Sequence, residues 1–449
     1  MPGGPMFTEH PLRRELNDEV HARPPLRIEG PAVVLHLACL RAPDDTGGSD
    51  GGDQDLRFIA DLARHHGAPA PDPASRYGIL PRGETQLKWE RHTEFTSYTL
   101  VMPRPELQAG APGWADLPAD ALQLAASCPG QCVAALVLEF RAAATDPATD
   151  LAIESLTQLF PGGEMVGSRV GDGAAAVWTD FRIDTAGFGR LLMVNHSLTG
   201  GRAGRMVQRL LEIETYRLMA LLGLALIRRS GATLSELEAR LKALIERTAA
   251  PGSGDLAPSD DSDRLLLNEL TGLAAECASL GAATRYRLSA GAAYAELVGR
   301  RLSDIREGRL DGLSRLSGFL DRRFTPAMRT CEAFQRRLDQ LETGIDRASD
   351  MLRTRVDVNL QAQNGALLRD MESRSRVQLR IQEAVEGLSV FAISYYLIGL
   401  LKIVAEGLLP HPEQHAEKWL AAIAVPIVLA AVWLGVRRLR RAIKGSDSN

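Results

Sequence analysis

The densest collection of groups able to do chemistry lies in two short segments. One is Glu19-Val-His-Ala-Arg-Pro24, with His21 and Arg23. The other is Trp89-Glu-Arg-His-Thr-Glu-Phe95, with Arg91, His92 and Glu94. Read as a strand, the second segment points Arg91 with Trp89, while His92 and Glu94 share the opposite face. An imidazole and a carboxylate on one face can bind a metal or act as a base and its orienting group. His21 would complete a two-histidine, one-carboxylate triad. The plainer reading of these five residues is a hydrogen-bond network that pins the N-terminal arm to a sheet, since polar clusters are often structural.

Other chemical signals are weaker. Asn195-His196-Ser197 ends a strand before Gly200-Gly-Arg-Ala-Gly-Arg205. A strand, a Gly-rich turn and a helix start make an anion site conceivable. The spacing is neither a Walker loop nor the dinucleotide fingerprint, which favours a simple helix-start turn. His65-His66 ends a helix and suits its negative pole. There is no nucleophile elbow, His-Glu-x-x-His motif or P-loop. The five cysteines, Cys39, Cys128, Cys132, Cys277 and Cys331, are odd in number and scattered, as reduced thiols are. Cys128-Pro-Gly-Gln-Cys132 has three intervening residues and reads as a turn before a strand.

The elements that must position these groups imply an α+β chain. Residues 1–230 alternate strand and helix signals and form an N-terminal cytoplasmic α/β domain. Strands are expected at Pro31–Leu40, across Thr85–Met102 as two strands or one bent one, and at Cys132–Phe140, Ala174–Ile183 and Gly187–His196. Helices are expected at Leu56–His66, Asp150–Phe160 and Ala203–Arg229. From Thr233 strand signals vanish, and 231–325 reads as a helical region, with helices at Thr233–Thr248, Arg264–Leu280, Thr284–Glu307 and Leu310–Arg323 and a Pro/Gly/Ser/Asp linker, Pro251–Asp263. Pro326 is placed to open a stalk helix over 326–387. Helical patterning from Ala327 to Leu401 would extend ~110 Å at 1.5 Å per residue. Leu338, Leu341, Ile345 and Leu352 keep heptad spacing, as in a coiled coil. A polar seam through Asn364, Met371 and Gln378, continued by Ser389 and Tyr396, is a solvated face or the lining of a pore in a parallel oligomer.

Two apolar spans close the chain, 388–409 and 419–436. An external loop, 410–418, separates them and a basic tail, 437–449, follows. Arg374, Arg376 and Arg380 precede the first span, and Arg437, Arg438, Arg440, Arg441 and Lys444 follow the second. This bias places both termini in the cytoplasm. Without a charged-then-apolar leader, residues 1–387 are expected to stay there. A net charge of −4 with no basic, aromatic-laced stripe argues against nucleic acid as a partner. The expected partners are the lipid bilayer and other copies of the chain.

Three segments resemble a family of uncharacterised bacterial membrane-anchored proteins, catalogued as a domain of unknown function. They are His10-Pro-Leu-Arg-Arg-Glu-Leu-Asn-Asp-Glu-Val-His-Ala-Arg-Pro24, Lys88-Trp-Glu-Arg-His-Thr-Glu-Phe95 and Gln382-Glu-Ala-Val-Glu-Gly-Leu-Ser-Val-Phe-Ala-Ile-Ser-Tyr-Tyr396. The resemblance implies a bacterial inner (plasma) membrane location and no assigned activity. The order of soluble domain, long helix, two spans and basic tail resembles the CorA-type divalent-cation channels. That resemblance implies a pentamer, a divalent cation as ligand and first spans that line a pore. The Gly-Met-Asn-like tripeptide of those channels is absent; Lys402-Ile-Val-Ala-Glu406 stands near its place. The expectation is therefore a homo-oligomeric cation channel or transporter without enzymatic activity. The alternative is an anchored module that binds a ligand or partner.

Overall fold

The computed structural model describes residues 7–13, 25–41, 54–65, 67–73, 75–109, 117–143, 153–161, 164–249, 260–408, 422–423 and 425–438. Nine strands are described: β1 (Ala32–Leu40), β2 (Tyr77–Arg82), β3 (Thr85–Arg91), β4 (Phe95–Pro103), β5 (Gln131–Ala142), β6 (Val166–Val170), β7 (Ala175–Ile183), β8 (Gly189–Asn195) and β9 (Gly308–Arg309). The helices are α1 (Gln54–His65), α2 (Ala119–Ser127), α3 (Ile153–Leu159), α4 (Gly200–Ala249), α5 (Asp260–Asp304) and α6 (Leu316–Leu408).

The strands form one sheet in the order β2-β3-β4-β1-β5-β8-β7-β6-β9. Every pairing is antiparallel except β5 with β8, which are parallel and join two antiparallel halves. β1 is buried along nearly its whole length, as a near-continuous apolar run interrupted only by His36 requires when both faces are covered. On one face Val33, Leu35, Trp89, Tyr98 and Leu100 pack with Ile59 and Ala63 of α1 and Ala121 and Leu124 of α2. Beside them Trp178 and Leu192 pack with Leu156 of α3. On the other face Val34, Val101, Leu138 and Met193 meet Val207, Leu210, Leu211 and Met219 of α4. Val298 of α5 and Leu316, Leu320 and Phe324 of α6 extend that face.

Two glycines allow close approaches. A Cβ on Gly204 would lie 1.6 Å from the Leu26 carbonyl oxygen, so only glycine lets the N-terminal arm cross α4 there. Gly130 has φ +88° and its Cβ would sit 2.1 Å from the Leu40 carbonyl oxygen, which fixes the turn into β5.

Several sequence expectations change. Of the two forms expected for Thr85–Met102, the chain takes the two-strand one, with a turn at 92–94; elsewhere the outcome differs. The breaks expected near Gly231 and Gly281 are absent, and α4 and α5 run through them. A mid-helix glycine costs only about 1 kcal/mol, and burial of Leu234, Leu237, Leu273 and Leu288 outweighs it. Pro326 lies inside α6, not at its start. Burial of Leu316, Leu320 and Phe324 carries the helix through the proline despite the lost backbone hydrogen bond.

The chain divides into two compact units. The first comprises residues 1–251 and 268–348 and contains the sheet; the second comprises 252–267 and 349–449. In the second unit, buried Asp263 lies 3.4 Å from Arg355 Nε and accepts a 3.4 Å hydrogen bond from Asn359 Nδ2. Residues 425–438 are helical. The loop 410–418 lies outside the described residues.

Candidate functional site

A cavity lined by both polar and apolar side chains lies on the α4 face of the sheet. Strand alternation sends Leu87 and Trp89 into the opposite core and turns Lys88 and Glu90 toward α4. His36 of β1 and Ser97 and Thr99 of β4 join them, and Gln208, Glu212 and Thr215 of α4 close the other side. The cavity holds about 40 Å³, room for two or three waters.

His36 is fixed at both nitrogens, with Nδ1 2.8 Å from Thr99 Oγ1 and Nε2 3.1 Å from Thr215 Oγ1. Burial, then the charge on Lys88, lowers its pKa to about 3, so the ring is neutral at physiological pH. Lys88 Nζ lies 3.1 Å from Glu90 Oε1, and both side chains are almost fully removed from solvent. Glu212 accepts hydrogen bonds from Gln208 Nε2, at 2.8 Å, and from Arg301 Nε. Charges are thus compensated inside the cavity. This arrangement can hold waters or an equally small polar solute.

Of the residues singled out in the sequence, Arg91, His92 and Glu94 are described; His92 borders this cavity, and the three turn to different partners. His21 and Arg23 lie outside the described residues. Arg91 Nε donates a 2.9 Å hydrogen bond to Asp55 Oδ2 at the start of α1, and Thr96 Oγ1 donates to the same oxygen at 2.7 Å. His92 and Glu94 sit in the β3–β4 turn, not on a strand, so face alternation does not apply to them. The His92 ring stacks on Phe95 with centroids 4.2 Å apart, and its carbonyl accepts a hydrogen bond from Arg41. Glu94 forms a two-pronged pair with Arg287 of α5, at 2.7 and 3.0 Å. Among the described residues no three His, Cys, Asp or Glu side chains are arranged to hold a metal.

The fold does gather three thiols. Cys39 faces Cys132 in the β1–β5 register, and Cys128 packs against the same core cluster. Contact with Cys128, ahead of burial, pushes the Cys39 thiol up to about 12 even though Cys132 opposes the shift. All five cysteines are free.

In the second unit Asn364, Met371, Gln378, Ser389 and Tyr396 all lie on α6 and are exposed. At 100° per residue they fall within an arc of about 40°. The apolar part of α6 is also uncovered, with Leu388, Phe391 and Tyr395 more than 70% exposed. Ser394 is its buried exception. Among the described residues one helix, α6, is long and apolar enough to cross a membrane.

These features define a mixed α+β protein with an N-terminal sheet domain and a long helical region that ends in exposed apolar surface. The chain belongs to the family described as protein of unknown function (DUF3422), whose sequence profile matches residues 8–443. No functionally curated protein matches the chain significantly. A solved structure described as "structure of the full-length CmaX protein" aligns with 76% of this chain and 94% of its own, at 15% identity. Its TM-score of 0.16 is too low to carry any argument.

Proposed function

We propose that this protein is a membrane-anchored homo-oligomer that conducts a cation along an axis lined by α6. The observation that carries the reading is the bare apolar surface of α6 from Leu388 to Val404. Water disfavours such a surface by roughly 25 cal/mol per Å², and an isolated helix of this length needs packing partners. Lipid covers the apolar stretch, and copies of α6 cover one another before it. The two spans, 388–409 and 419–436, form a hairpin with both termini in the cytoplasm. The arc of Asn364, Met371, Gln378, Ser389 and Tyr396 faces the axis. The two-span order similar to CorA-type channels supports a pentamer and a divalent cation as the conducted ion. Without the Gly-Met-Asn-like tripeptide, selectivity falls to other residues on the arc.

A second reading has its own support. The cavity around His36 supports reading the sheet domain as a binding module, with the hairpin serving only for localisation. Liposome flux separates the two. Purified oligomer reconstituted with a divalent-cation reporter should show uptake well above empty liposomes, and Gln378→Leu should reduce it about tenfold by placing an apolar side chain in the path. No uptake from a verified oligomer leaves the binding module.

A further inference from the structure

A second hollow in the sheet domain has a different electrostatic character. It holds about 290 Å³ between the start of α4, the β6–β7 turn and the end of α5. Arg202, Arg205 and Arg209, at helix spacings of three and four, present one face of α4 to it. Arg306 enters from beyond α5. The only carboxylates among its lining residues are Asp172 and Asp304, so four guanidinium groups stand against two negative charges.

The carboxylates are already engaged. Asp172 Oδ2 accepts a 2.6 Å hydrogen bond from Arg306. Asp304 Oδ2 accepts one of 3.1 Å from Arg301, and Arg209 donates to the Asp304 carbonyl at 3.2 Å. Arg202 and Arg205 make no hydrogen bond or ion pair with any described residue. The walls are held in place, since the Gly171 amide donates to the Ile305 carbonyl at 2.7 Å. The helix start itself is covered by Glu29, whose Cγ lies 3.1 Å from where a Gly200 Cβ would be. The arginine side chains therefore carry the site.

We infer that this hollow binds a phosphate-bearing anion through Arg202 and Arg205, with Arg209 and Arg306 as flanking charge. Guanidinium forks match phosphate oxygens in two-pronged geometry. The volume suits a phosphate or a small phosphate ester rather than a larger cofactor. A free phosphate compound and a phospholipid headgroup share this chemistry.

The test is calorimetric titration of the full chain in detergent with two probes, inorganic pyrophosphate and dihexanoyl phosphatidic acid below its micelle concentration. Binding of pyrophosphate alone identifies a free phosphate compound as ligand. Binding of the lipid alone identifies a headgroup. Either is expected to weaken about tenfold or more in Arg202→Gln/Arg205→Gln, whose exposed positions tolerate the change. Arg228→Gln/Arg229→Gln removes the same charge from exposed positions further along α4 and should leave binding intact. Failure of both probes to bind, or equal loss in the two double variants, overturns the proposal.

Discussion

Replacing Lys88 with methionine should destabilise the sheet domain by roughly 3–5 kcal/mol, because it leaves the Glu90 carboxylate without its partner in a cavity shut off from bulk solvent. Lys88 Nζ and Glu90 Oε1 are 3.1 Å apart, on alternate residues of β3 that face the same way. Water reaches neither side chain well enough to substitute for the lost partner. Removing both charges should be far milder, and Lys88→Met/Glu90→Leu should unfold within about 1 kcal/mol of the parent. Denaturant titration read by the fluorescence of Trp89 and Trp178, both fully buried, measures all three proteins. A single variant as stable as the parent would mean that the pair does not form.

His36 should make the same domain acid-sensitive. Its pKa falls from 6.5 to about 3 on folding, chiefly through burial and secondarily through Lys88. Above pH 6.5 the ring is neutral in both states and its contribution is complete. As pH falls below 6.5, the unfolded chain takes up a proton that the folded chain refuses, so stability declines until about pH 3. The full loss is about 5 kcal/mol, because a tenfold difference in proton affinity between the two states is worth about 1.36 kcal/mol. Carboxylates titrate in part of this range, so the comparison with His36→Gln isolates the ring. The parent should lose stability more steeply than the variant between pH 6.5 and 4. Parallel pH profiles would show that His36 is solvated.

Much of the fold is readable in the sequence because its signals are local. The apolar runs of β1, β7 and β8 need no partner to be recognised. β2 is hidden because Gly78 and Pro81 interrupt it, which an edge strand tolerates. Gly231 and Gly281 suggest helix breaks because the cost of glycine is local, whereas the compensating burial is tertiary. The cavity is half legible. A histidine in the middle of β1 demands hydrogen-bond partners, and Lys88 and Glu90 alternate with Leu87 and Trp89. The closing partner, Thr215, is 179 residues from His36, and no spacing rule reaches across that distance. Cys39 and Cys132 become neighbours in the same non-local way, through strand register. The residues at 91–94 mislead because strand alternation stops at Arg91, where the chain turns.

The sheet domain and the apolar helix pose separate questions. Stability of the His36 cavity bears on how the sheet domain is built. The uncovered face of α6 bears on what the protein does, and it is there that the proposed function stands or falls.

The most direct measurement is the mass of the intact protein in lipid nanodiscs by native mass spectrometry. The expected result is a discrete ring-forming oligomer, five copies where the CorA-like order holds, that persists on dilution. A monomer embedded in the nanodisc would contradict an axial path lined by copies of α6.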